Sequence, residues 1–152
     1  PVPPEASSGV SFKVPALDLD EVEAKLNMRS PRESLGFSER KFNACKLGLS
    51  DVHCRDQYFS SINFRVLCRD STGTVEYVSN VELVPLVVHR LSWQLGLYRG
   101  RTKTDSDGYG RVRVLTPGSS RSQRFVLVHG KKSLGVEASE VSRIILPKDW
   151  CG

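Results

Sequence analysis

A chain of 152 residues fits one domain, or one domain with an elaborated end, and 39% apolar with 26% charged residues is ordinary for a fold that buries its own core. No apolar run approaches the roughly 18 to 20 residues of a helical membrane span; the densest, residues 83–88, is broken by Pro85 and ends at His89. The net charge of +5 is uneven, because residues 99–143 hold ten basic against four acidic side chains, a local +6 that leaves the rest at −1.

Residues 1–9, with Pro1, Pro3, Pro4 and Gly9, read as an extended, flexible leader. Such a leader follows a removed signal peptide or a lipid anchor, or marks the edge of a fragment. Residues 10–14 alternate as a strand that ends at Pro15. Residues 20–28 admit two readings. Val22, Ala24, Leu26 and Met28 alternate as in a strand, while Leu19, Val22 and Leu26 also suit a helical face capped by Asp18; the alternation favours the strand. Ser30-Pro31-Arg32-Glu33 has the arrangement of a capping box with proline at the first helical position, which predicts a short helical turn that Gly36 cuts off. Residues 10–57 are accordingly expected as an N-terminal segment packed on a module of residues 58–152.

From Ser60 onward, Ile62, Phe64, Val66 and Cys68 point one way and Asn63, Arg65, Leu67 and Arg69 the other, as in a half-buried strand. Asp70-Ser71-Thr72-Gly73 is a turn, and residues 75–78 resume extension. Residues 91–95 alternate and stop at Gly96. Residues 98–104 lead into the turn at Asp107-Gly108, and residues 110–114 lead out with Val112 and Val114 inward. Residues 125–129, 133–136 and 141–146 supply the remaining strands, with turns at Pro117-Gly118-Ser119-Ser120 and Gly130-Lys131-Lys132. About seven or eight short strands with turn signals between them is the pattern of an all-β sandwich.

The run Thr104-Asp105-Ser106-Asp107-Gly108-Tyr109-Gly110, followed by alternating Arg111-Val112-Arg113-Val114 and preceded by Trp93, Gly96 and Gly100, resembles a recurrent hairpin. It is similar to one found in immunoglobulin-like and transthyretin-like repeats of bacterial surface proteins and in the regulatory domains of carboxypeptidases. The resemblance covers about 20 residues closely and about 90 loosely, does not extend to residues 1–57, and carries over no catalytic residue. It implies an immunoglobulin-like or transthyretin-like antiparallel β-sandwich, here with a short helical turn in the N-terminal segment.

Four cysteines, Cys45, Cys54, Cys68 and Cys151, permit two disulfides in three connectivities, and the absence of Cys-x-x-Cys removes the usual support for redox-active or zinc-ribbon readings. The favoured pairing is Cys45 with Cys54, a local clip, and Cys68 with Cys151, a staple for a tail that would otherwise fray. That pairing argues for a secreted, periplasmic or cell-surface setting; four buried free thiols in a cytosolic protein is the competing reading.

No nucleophile signature, phosphate-cradling glycine motif or metal-ligand spacing is present. Asp105 and Asp107 read as turn residues, since an EF-hand needs glycine sixth and glutamate twelfth. His53, His89 and His129 are scattered. No cofactor is expected. The leading expectation is therefore a non-enzymatic adhesion, assembly or spacer module that binds another protein or a cell-surface component. The second is a binder of acidic polymers, glycan or nucleic acid, through the basic residues of 99–143. Tyr98, Arg99, Arg101, Tyr109, Arg111 and Arg113 are the candidate ligand contacts, because tyrosines interleaved with arginines can combine stacking and ion pairing. The third is an enzyme whose site carries no signature.

Overall fold

One long strand organises the molecule. The computed structural model describes residues 17–86, 98–99, 103–121 and 124–151; the expected strands at 10–14 and 91–95 lie outside them. In chain order the elements are helix α1 (Leu19–Lys25) and strands β1 (Gly36–Asn43), β2 (Asp56–Arg69), β3 (Val75–Tyr77), β4 (Glu82–Leu86), β5 (Tyr98–Arg99), β6 (Tyr109–Thr116), β7 (Arg124–His129), β8 (Lys132–Glu137) and β9 (Arg143–Ile145). Short 3-10 turns cover Ala138–Glu140 and Lys148–Trp150.

β2 runs through the larger sheet, between β1 and β6 along its first half. Along its second half β3 pairs antiparallel and β9 parallel, with Arg65 opposite Arg143 and Leu67 opposite Ile145. The smaller sheet is β4-β7-β8. Ile62, Phe64 and Val66 of β2 and Val112 and Val114 of β6 meet Leu83, Phe125, Leu127 and Val136 across the gap. This is an all-β sandwich; burying each such side chain stabilises it by about 1.5–3 kcal/mol.

β2 is not half-buried as its alternation predicts: Phe59, Ser61, Asn63 and Leu67, on the second face, are buried too. The reason is a third layer. α1 lies on the outer face of the large sheet, with Leu19, Val22 and Leu26 packed with Phe59 and Leu115.

The expected strand at 20–28 is thus corrected to a helix. Its buried set is Leu19, Val22, Glu23 and Leu26, the i, i+3, i+4, i+7 face of a helix. One of those four positions is a glutamate, so the apolar residues alone leave the period incomplete. Asp18 caps the helix by accepting the Asp20 N–H at 2.9 Å, and Asn27, at φ 54°, ends it. The helical turn expected after Ser30 does not form. Residues 31–34 make one reverse turn, closed by Ser34 N–H to the Pro31 carbonyl at 2.9 Å, and the Arg32 side chain is used elsewhere.

Disulfides join Cys45 to Cys54 and Cys68 to Cys151, the pairing favoured from their positions. The second ties the end of β2 to the tail, which also rests Trp150 on the core and beside His129.

Candidate functional site

The side chains proposed as ligand contacts divide sharply. Arg111 and Arg113 point to the outer face of the large sheet, opposite Asn63 and Ser61 of β2, and there they meet α1. Arg113 reaches Asp20 at 2.6 Å and Glu23 at 3.7 Å, and Arg111 pairs with Glu23. Glu23 is only 2% exposed. Burial, then the Arg113 charge, pull Arg111 below the usual arginine range against an opposing pull from Asp20, yet a guanidinium stays protonated. The hydrogen bond and charge of Arg113 hold the Asp20 carboxyl below its usual range. These four groups neutralise one another. They attach the N-terminal helix, and both guanidiniums spend their charge on its carboxylates rather than standing as uncompensated cations.

Of the other candidates, the side chains of Tyr98 and Arg99, and all of Arg101, lie outside the described residues; Tyr98 and Arg99 are placed only as a two-residue strand opposite Val114 and Arg113. The remaining basic residues of 99–143 do not share a face. Arg124 pairs with Glu137 at 3.0 Å on the small sheet, Lys132 donates to the Asp149 carbonyl, and Arg121 sits 3.8 Å from Glu39.

Tyr109 belongs to a different group, at the end of the outer face beyond α1. The hairpin there is closed by Asp105, whose side chain accepts the N–H groups of Asp107 at 2.9 Å and Tyr109 at 3.0 Å. Arg32 crosses to it from the N-terminal segment, meeting Asp105 at 2.5 Å and Asp107 at 2.8 Å and lying 4.7 Å from the Tyr109 ring centroid. Asn63 holds that crossing segment by donating to Ser30 Oγ at 3.1 Å and to the Ser34 carbonyl at 3.0 Å.

Beside this clasp lies Arg65. Its guanidinium carbon is 3.4 Å from the Tyr77 ring centroid and 4.2 Å from that of Tyr109, and its Nε donates to the Asp107 carbonyl at 2.9 Å. Two rings and one hydrogen bond fix the plane of the group. The two terminal nitrogens have no hydrogen-bond partner among the described residues. Arg143 is its neighbour on β9, in register and on the same face, and Arg69 is two rows on along β2, opposite Val75. Among the described residues none of Arg65, Arg69 and Arg143 has a carboxylate in ion-pair range, and Ile145 beside them is half exposed. The sequence missed Arg65, Arg143 and Tyr77 as one surface because they lie on three different strands, and Arg143 joins them only through the pairing of the distant β9 with β2. A weak signal was present in the outward Arg65 and Arg69 alternation.

Two other places on the fold gather polar side chains. Glu39 is nearly buried and accepts from Ser119 Oγ at 2.7 Å, from the Ser120 N–H at 2.7 Å and Oγ at 3.0 Å, and from Ser60 Oγ at 3.1 Å. Burial pushes its carboxyl up, but these hydrogen bonds together outweigh it and hold the group below its usual range. A carboxylate so stabilised is a poor base for activating a serine; it anchors the loop carrying Ser119 and Ser120 on β1. An open depression of about 330 Å³ between Leu26, Phe42 and Leu47, rimmed by Lys41, Lys46 and Asp56, is lined by no serine, threonine, cysteine or histidine among the described residues. No metal-binding group of histidine, cysteine and carboxylate side chains occurs among the described residues. His129 lies against Trp150 and His53 adjoins a disulfide cysteine. No helix among the described residues is long and apolar enough to cross a membrane. Compared with known proteins, the chain matches no family model, no curated protein and no solved structure.

Proposed function

We propose that this protein is a non-enzymatic binding module that works outside the cytoplasm and meets an acidic partner on the outer face of its large sheet. Arg65 carries the reading. It is held against Tyr77 and Tyr109, and among the described residues its forked end is unengaged and neither Arg143 nor Arg69 beside it has a carboxylate in ion-pair range. Like charges held as neighbours on a sheet destabilise it, and an acidic ligand relieves that cost. The pre-set fork also lowers the entropy lost on binding. Two disulfides that use all four cysteines support an oxidising compartment. The resemblance of the Asp105–Gly108 hairpin to those of surface-protein repeats supports a module rather than an enzyme.

The test is retention of the purified protein on an immobilised acidic polymer across a salt gradient. The wild type is expected to bind at low salt and to elute as salt rises. Arg65→Glu with Arg143→Glu is expected to abolish retention, while Arg124→Glu, on the small sheet, leaves it nearly unchanged. Equal retention of all three proteins, or none for any of them, overturns the proposal.

A further inference from the structure

We infer that Arg65 and Arg143 form a site for a sulfate ester carried on a glycan; this rests on the acidic-partner reading and names the chemistry that the same site selects. Anions differ in the number of oxygens they present. A carboxylate has two, and a forked arginine meets both in one bidentate contact. A phosphodiester in a nucleic acid backbone likewise has only two unbridged oxygens. A sulfate or phosphate monoester has three, so it can take the Arg65 fork with two and still offer the third to a neighbouring cation.

Arg65 and Arg143 present that arrangement. Their Cα positions are paired across β2 and β9 and both side chains leave the same face. The Arg65 fork is fixed, because its Nε is committed to the Asp107 carbonyl at 2.9 Å and its plane lies on Tyr77. Arg143 is exposed and without a carboxylate among the described residues, so it is free to close on the third oxygen. Arg69, farther along β2, extends the positive strip for the next charged group of a chain.

The tyrosines separate a glycan from a nucleic acid. Single strands without sequence preference are bound by stacking bases on open aromatic rings. Here Tyr77 has the Arg65 guanidinium on it, and Tyr109 has those of Arg65 and Arg32 within 4.7 Å of its centroid. Both rings already serve to hold arginines. What remains for a ligand is guanidinium edges and the half-exposed Ile145 side chain, which suits ester groups on sugar rings better than unstacked bases. Between the two monoesters, the extracytoplasmic setting favours sulfate on a polysaccharide.

The experiment measures affinity of the intact, disulfide-bonded protein for a heparin octasaccharide, the same octasaccharide stripped of sulfate, and a single-stranded oligodeoxynucleotide. Sucrose octasulfate and inositol hexakisphosphate serve as soluble competitors. The sulfated octasaccharide is expected to bind at least roughly tenfold tighter than either alternative, and Arg143→Ala to cost roughly tenfold with the fold unchanged by circular dichroism. Arg65→Lys keeps the charge and removes the fork, and is expected to weaken the sulfated probe while leaving the stripped one nearly unaffected. Sucrose octasulfate is expected to compete better than inositol hexakisphosphate; the reverse order assigns the site to phosphate monoesters and overturns the sulfate assignment. Equal binding of sulfated and stripped probes, or preference for the oligonucleotide, overturns this inference while the acidic-partner reading stands. Binding of no acidic probe overturns both.

Discussion

Glu23, on the buried side of the N-terminal helix, is paired with Arg111 in the middle of strand β6, on the face that the helix covers. The contact joins residues from opposite ends of the sequence pattern, an acidic stretch and a basic one, each of which alone looks like a solvated face. Arg113 adds a second guanidinium to Glu23 and a first to Asp20. Two of the four candidate arginines, Arg111 and Arg113, are therefore an internal joint, and the arginines uncompensated among the described residues, Arg65, Arg69 and Arg143, lie toward the other end of the sheet.

Removing one partner of a buried ion pair costs more than the pair itself contributes, because the survivor stays buried and uncompensated. Glu23→Gln is expected to destabilise the protein by about 3–5 kcal/mol. Replacing Glu23 and Arg111 together by methionine is expected to recover most of that loss. Urea unfolding of the three variants measures it; a double variant no more stable than Glu23→Gln rejects the ion-pair account.

Glu39 makes stability depend on pH. Its carboxyl is held below the ordinary value of 4.5 in the folded chain, since hydrogen bonds from Ser119, Ser120 and Ser60 favour the charged form more than burial disfavours it. A depressed pKa contributes stability that is fully present above the unfolded value and is lost as pH falls through the folded one. Thermal melts from neutral pH downward are therefore expected to show Glu39→Gln less stable than the wild type near neutrality, with the gap closing below pH 4.5. A gap independent of pH removes the carboxylate from the explanation.

How much of this was legible in the sequence depends on which force set each element. The inward rows of β2 and β6 follow a two-residue period and were readable, as were the Asp107-Gly108 turn and the favoured cysteine pairing. Helix α1 was not, because Glu23 occupies a core position that only the distant Arg111 and Arg113 make tenable. β1 was not, because Ser38, Glu39, Arg40 and Lys41 carry no apolar alternation; the strand is held by its register with β2 and by the Glu39 cluster. Arg111 and Arg113 are legible as alternating residues of the strand that leaves the turn, but their partners are set by tertiary packing. Arg65 and Arg143 come together only through the parallel pairing of β9 with β2, which no local pattern announces.

The two disulfides are expected to differ in worth. Cys68–Cys151 closes a loop with a sequence separation of 83 and Cys45–Cys54 one of 9, so loop entropy assigns roughly 4.5 kcal/mol to the first and roughly 2.5 kcal/mol to the second. Cys68→Ser with Cys151→Ser should lower the melting temperature more than Cys45→Ser with Cys54→Ser. Intact mass should rise by four hydrogens on reduction of the wild type and by two for either double variant. Equal melting temperatures for the two variants would place the stabilisation in native contacts rather than in the chain's unfolded freedom.

The hairpin beside Arg65 is sensitive at its glycines for two separate reasons. Gly108 has φ +79°, where an L side chain is strained, and an added Cβ would lie 2.6 Å from the Val66 carbonyl oxygen, which is itself bonded to the Val78 N–H at 3.0 Å. Gly110 has an ordinary backbone, but a Cβ there would run into the ring of the fully buried Phe64. Gly108→Ala is expected to cost about 1–3 kcal/mol through backbone strain, and Gly110→Ala a similar amount through overpacking. The two are separable by a second substitution. Phe64→Leu makes room for the Gly110→Ala methyl, so the double variant should lose less than the sum of its singles. Combined with Gly108→Ala, it should be additive. Displacing the Asp107 carbonyl through Gly108→Ala also releases the Nε of Arg65, so that variant alone should weaken binding to an acidic polymer, measured on folded protein well below its melting point.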